Sequence, residues 1–177
     1  MSQNYKNKLR DYCKTIIRDN IYKIQAAETH LAIISQLSRL IDLLNVTHVG
    51  IYYHNQYEIN ILDLLQLRTD LIFSLPKIIE DNIIYTKYSL GDKLTKNKFN
   101  LYEPKSCQAV YPKLICLPGL GFSSQGYRIG YGGGFFDRYL IKHPTIFKVG
   151  IAVKEQLLPP FPTNNFDQKL NYIITEE

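Results

Sequence analysis

The chain has 177 residues, of which 45% are hydrophobic and 21% are charged, so it can bury a core and does not have the composition of a disordered protein. Its formal net charge of +5 favours anionic partners, yet its lysines and arginines are scattered, which gives no particular preference for nucleic acid. No stretch reaches the roughly 18 uninterrupted apolar residues of a membrane helix, and the polar amino terminus lacks the apolar segment of a secretory signal. Cys13, Cys107 and Cys116 include no C-x-x-C pair, so we expect free thiols and a cytoplasmic location.

Helices dominate the predicted structure of the amino-terminal quarter. Apolar residues recur every three or four positions at 4–17 and again at 25–44, the spacing of helices that bury one face. β-branched and aromatic residues at 47–53 then predict a buried strand. A helical pattern returns at 58–68, and a short strand at 70–76 is predicted to end at Pro76.

The remainder of the chain alternates apolar strands with helices. The segment at 91–104 is rich in Lys and Asn and is predicted to be mostly loop, whereas 134–143 has a helical pattern. Further strands are predicted at 82–89, 113–119, 147–153 and 169–175. This alternation predicts one α/β domain over residues 1–177, with a mostly parallel sheet that is covered on both faces.

A glycine-rich segment at 126–140, GYRIGYGGGFFDRYL, joins an apolar strand to a helix. Loops in this position bind ligands in parallel sheets, and the glycines at 132–134 can present backbone N–H groups to an anion. Arg128 offers a fork of donors to phosphate oxygens, and Asp137 offers a hard oxygen ligand for Mg²⁺. The segment matches neither G-x-x-x-x-G-K-[ST] nor G-x-G-x-x-G, so spacing alone leaves a plain strand-to-helix turn as an equal alternative.

Four parts of the chain together resemble the 5-formyltetrahydrofolate cyclo-ligase family. They are KNKLR at 6–10, LPGLGF at 117–122, RIGYGGGFFD at 128–137 and LNYIITE at 170–176. The third part follows the family pattern R-x-G-x-G-x-G-[YF]-[YF]-D, and the resemblance extends over nearly the whole chain. It implies a three-layer α/β/α sandwich and a ligase that uses ATP and Mg²⁺. The implied reaction cyclises 5-formyltetrahydrofolate to 5,10-methenyltetrahydrofolate through a phosphorylated formyl group, with release of ADP and phosphate.

The resemblance also implies roles for individual residues. Lys6 and Arg128 are expected to take part in catalysis, and Asp137 and Asp167 are expected to bind Mg²⁺. The residues expected to bind ATP are Lys6, Arg10, Arg128, Ile129, Gly130, Tyr131, Gly132, Gly133, Gly134, Phe135 and Phe136. Those expected to bind the folate are Tyr53, Glu58, Tyr131, Gly132, Gly133, Gly134 and Phe135, with Glu58 accepting hydrogen bonds from the pterin ring.

Some of these residues have simpler explanations when they are considered without the family. Lys6 and Arg10, four positions apart, fit a solvated helix face. Glu58 fits a carboxylate near a helix amino terminus, and Asp167 fits a turn or capping residue.

The expected partners are small molecules, namely ATP and 5-formyltetrahydrofolate, including its polyglutamylated forms. We expect no nucleic-acid or membrane partner, and we expect a monomer. Two functions of other classes remain as alternatives. A non-catalytic folate or nucleotide binder is disfavoured by the two metal-binding aspartates, and a nucleic-acid-binding domain is disfavoured by the dispersed tyrosines.

Four positions depart from the usual family pattern. Ser123 stands where most members carry Asp, and Phe166 stands where His usually precedes the second metal aspartate. Phe135 and Phe136 replace a pair that is commonly Tyr-Tyr. Each lost hydroxyl removes about 0.5–1.5 kcal/mol of net hydrogen bonding. We therefore expect weaker ligand binding rather than an inactive protein.

Overall fold

The structure is a computed structural model that describes residues 3–177, so Met1 and Ser2 of the predicted domain lie outside the described residues. The helices are α1 (Gln3–Asp19), α2 (Ile21–Ile24), α3 (Ala27–Leu43), α4 (Leu64–Leu67) and α5 (Phe135–Lys142). The long helices α1 and α3 confirm the two amino-terminal periodic patterns. In α3 the residues Ile33, Leu37 and Ile41 share one face and are fully buried.

The described strands form one large and two small sheets. They are β1 (His48–Gly50), β2 (Ile72–Ile79), β3 (Asn82–Lys87), β4 (Leu94–Lys96), β5 (Tyr102–Pro104), β6 (Ala109–Val110), β7 (Leu114–Leu117), β8 (Gly121–Ser123), β9 (Arg128–Ile129), β10 (Phe147–Ile151), β11 (Leu157–Leu158) and β12 (Tyr172–Ile174). In the part of the chain that the structure describes, the large sheet has the order β12-β10-β7-β1-β2-β3-β6. The strands from β12 to β2 are parallel, and β3 and β6 are antiparallel to their neighbours.

The side chains of β7 show how the sheet separates two apolar layers. Leu114 and Cys116 belong to a core that also contains buried residues of α1 and α3, whereas Ile115 and Leu117 belong to a second core that contains buried residues of α5. Successive residues of a strand point to opposite faces, so a strand covered on both faces is apolar throughout. The predicted α/β/α arrangement with a mostly parallel sheet is confirmed.

Two predicted boundaries are wrong for identifiable physical reasons. Strand β2 continues through Pro76 to Ile79, because β3 pairs with it from Ser74 to Ile79 and places Tyr85 opposite Pro76. On the other side β1 pairs with β2 only as far as Ser74, so Pro76 lies beyond the β1 ladder, as proline does at sheet edges. The helix predicted at 58–68 is reduced to α4, since the side chain of Asn60 accepts the backbone N–H of Leu62 and forms a turn instead.

The segment predicted to be mostly loop at 91–104 contains the hairpin β4–β5. The strand predicted at 47–53 is shorter, since β1 ends at Gly50 and the chain leaves the sheet towards the cavity described below. No helix in the range 3–177 is long and apolar enough to cross a membrane. The thiols of Cys13, Cys107 and Cys116 are free, as predicted.

Candidate active site

A cavity of about 770 Å³ opens where the parallel strands β1 and β7 end. Open α/β sheets bind ligands at this edge. All of the site residues predicted from the sequence line it: Lys6, Arg10, Tyr53, Glu58, Arg128, Ile129, Gly130, Tyr131, Gly132, Gly133, Gly134, Phe135, Phe136, Asp137 and Asp167. The fold thus gathers residues from both ends of the chain around one volume, while their individual roles stay predictions.

An ion pair between Lys6 and Asp167 closes one side of the cavity. Lys6 Nζ donates to both carboxylate oxygens of Asp167, at 2.5 and 2.8 Å. The two side chains are only 13% and 18% exposed, so solvent screens the attraction less than at an open surface. Asp167 Oδ2 also accepts the backbone N–H of Asn164 at 2.7 Å. The alternative considered for Asp167 therefore describes part of its surroundings, since Asp167 does cap a turn. The alternative for Lys6 does not, because Lys6 faces the cavity rather than bulk solvent.

Arg128 is an enclosed cation of the cavity, with a side chain that is 6% exposed. Its Nη1 donates to the carbonyl of Pro118 at 3.1 Å, and its Nη2 donates to Asp137 Oδ2 at 3.4 Å. The guanidinium carbon lies 5.2 Å from the centre of the Phe136 ring, a cation–π contact. These three contacts fix the plane of the guanidinium, so its remaining N–H groups have a defined direction.

The glycine loop lies against α1 and leads into α5. Arg10 Nε donates to the carbonyl of Gly130 at 3.1 Å, and the Arg10 guanidinium lies beside Gly132. Gly132 has φ +109° and Gly134, the residue before α5, has φ +66°, both in the region that favours glycine. A helix of eight residues follows directly, so the loop delivers free backbone N–H groups at a helix amino terminus, the arrangement that binds anions.

Glu58 lies in the cavity wall that follows β1. Its Oε2 accepts the backbone N–H of Asn55 at 3.0 Å. Burial raises the pKa of Glu58, although this hydrogen bond, the nearby Tyr131 side chain of the glycine loop and the positive charge of Arg128 act in the opposite direction. The turn at Asn55 thus orients the carboxylate, which is able to accept further hydrogen bonds.

Aromatic side chains form a further part of the cavity wall. The Tyr53 ring packs against Tyr102 with ring centres 5.0 Å apart, and Phe99 meets Phe135 edge-on at 5.7 Å. Phe99, Leu101 and Tyr102 come from the β4–β5 hairpin and all line the cavity. A flat, partly apolar ring system fits between such faces, while an anion fits the cationic side.

The donor set fits a shared Mg²⁺ better than a metal held by the protein alone. Among residues 3–177 no group of three or more His, Cys, Asp or Glu side chains could hold a metal ion. Asp137 nevertheless lies close to Asp167 in the fold. The backbone N–H of Gln168, the residue after Asp167, donates to Asp137 Oδ1 at 3.5 Å. Mg²⁺ is typically held by one or two carboxylates that it shares with water and substrate phosphates. Two carboxylates beside the glycine loop satisfy that requirement.

Comparison with known proteins decides the family. A sequence model of the 5-formyltetrahydrofolate cyclo-ligase family matches residues 2–176. The chain belongs to this family. The recognition made from four short parts of the sequence is therefore confirmed over nearly its whole length.

Named relatives of the cyclo-ligase family agree with this assignment at low identity. A probable 5-formyltetrahydrofolate cyclo-ligase of Schizosaccharomyces pombe is 32% identical over 123 residues, which cover 58% of this chain and 60% of the relative. The 5-formyltetrahydrofolate cyclo-ligase of Mus musculus is 31% identical over 96 residues, 48% of this chain and 47% of the relative. The match thus spans about half of each of these two relatives. The 5-formyltetrahydrofolate cyclo-ligase of Haemophilus influenzae is 25% identical over 170 residues, which cover 89% of this chain and 91% of the relative.

Solved structures extend the agreement to the fold. The NMR structure of the Aquifex aeolicus 5,10-methenyltetrahydrofolate synthetase has 25% identity and a TM-score of 0.79, with 97% of this chain and 90% of that chain covered. The Mycoplasma pneumoniae 5,10-methenyltetrahydrofolate synthetase has 22% identity and a TM-score of 0.72, with 97% and 99% covered. The α/β fold is thus that of solved proteins related to the cyclo-ligase family.

The four departures from the family pattern have distinct surroundings. Ser123 is buried and its Oγ accepts the backbone N–H of Tyr127 at 3.1 Å, a turn-stabilising acceptor role that an aspartate can also fill. Phe166 is 70% exposed at the cavity edge. Phe135 packs against Phe99, and Phe136 lies under Arg128, so both keep the aromatic contacts of a tyrosine without its hydroxyl.

The main feature that the sequence prediction missed is the hairpin wall, the part of the cavity lining formed by Phe99, Leu101 and Tyr102 of the β4–β5 hairpin. The side chain of Asn97 accepts the backbone N–H groups of Phe99 and Leu101, at 2.9 and 3.2 Å, and Asn100 has φ +60°. An Asn that closes a turn, followed by a second Asn that tolerates the left-handed region, is a recognisable turn signal. This turn signal lies in a segment that the Lys- and Asn-rich composition led us to predict as a loop.

Proposed function

We propose that the protein catalyses the ATP- and Mg²⁺-dependent cyclisation of 5-formyltetrahydrofolate to 5,10-methenyltetrahydrofolate, with release of ADP and phosphate. Members of the family are ATP-dependent ligases. The observation that carries the proposal is the gathering of every predicted site residue around one cavity with a cationic and an aromatic side. A glycine turn that merely joined a strand to a helix would not require this convergence.

The cationic side of the cavity binds and orients ATP in this proposal. Lys6 and Arg10 approach the phosphates from α1, the loop at 130–134 contributes backbone N–H groups, and Arg128 directs its free N–H groups at the phosphates. Phosphoryl transfer depends mainly on positioning and on neutralising the charge of the equatorial oxygens. Lys6 and Arg128 supply that charge at fixed positions. Asp137 and Asp167 hold Mg²⁺, which adds further neutralisation of the phosphate oxygens when it is bound.

The aromatic side of the cavity orients the folate. Glu58 accepts hydrogen bonds from the pterin ring, and Tyr53, Tyr131 and Phe135 border the ring system. The formyl oxygen is a poor leaving group, so the γ-phosphoryl group of ATP is transferred to it first and ADP is formed. Nitrogen 10 of the folate then attacks the formyl carbon, and the new carbon–nitrogen bond closes the ring. Nitrogen 10 loses its proton, the bond from carbon to the phosphorylated oxygen breaks, and the phosphate is released with that proton.

Several narrower expectations stay predictions. They are the single-domain organisation over 1–177, the monomeric state, the cytoplasmic location and the use of polyglutamylated folates. The net charge of +5 is compatible with a polyanionic folate tail but does not distinguish it from other anions.

The test is an absorbance assay of the methenyl product in the near ultraviolet. Purified protein is mixed with 5-formyltetrahydrofolate, ATP and Mg²⁺, and matched reactions omit ATP or Mg²⁺. The variant Asp137→Asn should lose the reaction, whereas Asp11→Asn, the same change at an exposed position of α1, should keep it. No product from a folded protein that binds ATP in calorimetry would contradict the proposal and favour the non-catalytic binder.

A further inference from the structure

A buried ion pair outside the cavity anchors the hairpin wall. Lys77 on β2 and Glu103 on β5 are each 8% exposed, and Lys77 Nζ lies 3.3 Å from Glu103 Oε1. The same ammonium group donates to the carbonyl of Pro104 at 2.7 Å. Charged side chains are rarely buried to this degree, because removing them from water is costly unless they are paired and hydrogen-bonded.

Glu103 joins three separate segments of the chain through one carboxylate. Besides Lys77, it accepts the backbone N–H of Ile78 at 3.1 Å and the side-chain amide of Asn97 at 2.9 Å, both at Oε2. Ile78 belongs to β2 in the large sheet, and Asn97 closes the turn of the hairpin. The contacts therefore tie the turn of the hairpin, its second strand and the large sheet to one another.

Apolar contacts also hold the hairpin, since Leu94 packs against the main core and the Tyr102 ring packs against Tyr53. In the part of the chain that the structure describes, strands β4 and β5 pair with each other and with no other strand, so no backbone ladder joins them to the large sheet. The turn residues Phe99 and Leu101 are 50% and 39% exposed, although both line the cavity. Their position against Phe135 thus depends on how the base of the hairpin is anchored.

We propose that Glu103 is a positioning residue for the folate, through the hairpin wall that it fixes. Glu103 does not line the cavity; Phe99, Leu101 and Tyr102 do. This inference rests on the proposed function in one respect only, namely that the aromatic side of the cavity binds the folate. Weakening the anchor then increases the KM for 5-formyltetrahydrofolate, while the KM for ATP and kcat stay within about twofold, since Lys6, Arg10 and Arg128 are held by contacts with segments other than the hairpin.

The first experiment compares Glu103→Gln with Glu155→Gln. Glu155 also pairs with a lysine, Lys23, but their side chains are 31% exposed and lie outside the cavity lining. The expected result is a rise of about tenfold in the KM for 5-formyltetrahydrofolate in Glu103→Gln and no change in Glu155→Gln. Equal KM values in both variants, with only a lower unfolding temperature for Glu103→Gln, would overturn the proposal.

A double variant keeps the test decisive if Glu103→Gln folds poorly. Lys77→Met combined with Glu103→Gln removes both buried charges, so no unpaired ion remains in the interior. If the pair acts through the wall, this double variant binds the folate better than Glu103→Gln alone and less well than the unsubstituted protein. A double variant whose KM for the folate equals that of the unsubstituted protein would contradict the anchoring role.

A fluorescence measurement separates this inference from the catalytic proposal. The chain contains no tryptophan, so Phe99→Trp creates a single reporter on the wall. Adding Glu103→Gln should shift its emission to longer wavelength and lower its anisotropy, and titration with 5-formyltetrahydrofolate should give a higher dissociation constant. These changes are measurable whether or not product forms, so an inactive protein would contradict only the catalytic proposal. Unchanged emission, anisotropy and folate affinity would contradict only the anchoring role of Glu103.

Discussion

Lys6 and Asp167, which are 161 positions apart, form a bidentate ion pair that joins the first helix to the loop before the last strand. The contact places α1 at the edge of the cavity, so that Arg10, one turn further on, reaches the carbonyl of Gly130. The sequence predicted Lys6 and Asp167 as site residues separately, each from its own segment and without a contact between them. Their contact means that the two ends of the chain must fold together before the cationic side of the cavity exists.

Replacing Lys6 should impair the use of ATP more than the stability of the fold. We expect Lys6→Met to lower kcat/KM for ATP about 10- to 100-fold, the effect of losing one charge-assisted hydrogen bond of about 1.5–3 kcal/mol. Lys8→Met is the matched control, because Lys8 is exposed on the same helix. Steady-state kinetics with varied ATP provides the measurement. Similar losses in the two variants would mean that only the charge of α1 matters, not the position of Lys6.

Gly132 is expected to be needed for ligand binding beyond its backbone geometry. Gly132 and Gly91 have similar φ values, +109° and +91°, so alanine at either position should destabilise the fold by about 1–3 kcal/mol through backbone strain. Only Gly132 lines the cavity. We therefore expect Gly132→Ala to weaken ATP binding in calorimetry at least tenfold and Gly91→Ala to leave it unchanged. Comparable affinities for ATP, with equal urea midpoints, would argue against a phosphate-binding role for the loop.

The fork of Arg128, rather than its charge alone, should determine turnover. Lysine at this position cannot reach both the carbonyl of Pro118 and Asp137, so the charge loses its fixed direction. We expect Arg128→Lys to reduce kcat about 10²- to 10³-fold, the range found when one oriented donor to a transition state is removed. The exposed Arg39→Lys serves as control. A kcat close to that of the unsubstituted protein would show that a point charge is sufficient there.

The raised pKa of Glu58 should affect the pH dependence of both the activity and the stability. Because burial raises the pKa in the folded state, the folded protein binds this proton more tightly than the unfolded chain does. The free energy of unfolding should thus decrease as the pH rises from the ordinary carboxyl range to the raised pKa, and stay lower above it. Binding of the pterin requires the ionised carboxylate, so kcat/KM for the folate should fall as the pH is lowered through the same raised pKa.

The measurement compares Glu58→Gln with the exposed Glu28→Gln in urea titrations and kinetics between pH 4 and pH 8 (about the range in which carboxyl groups titrate). Relative to the unsubstituted protein, Glu58→Gln should gain stability at neutral pH and lose the acid limb of the kcat/KM profile. Glu28→Gln should keep both pH dependences. An acid limb that persists unchanged in Glu58→Gln would assign it to another group.

Much of the fold was predictable because burial leaves a local pattern in the sequence. The apolar spacing of α1 and α3 and the apolar run of β7 follow directly from which faces are covered. The errors occurred where tertiary context overrides that pattern. Pro76 fits into β2 because β1 pairs with that strand only as far as Ser74, and the side chain of Asn60 replaces a helical turn.

The sequence by itself determined the layer order, the glycine loop and, through residues that follow the family pattern, the composition of the candidate site. Only the tertiary structure decided which of these groups touch one another. Lys6 pairs with Asp167, and the carboxylate of Glu103 joins the hairpin that carries Phe99 to β2. The physical reason is the distance along the sequence over which each kind of information acts. Hydrophobic periodicity records the burial of each segment within a few residues, whereas contacts across a sheet depend on strand order and on side-chain charges that no local period encodes.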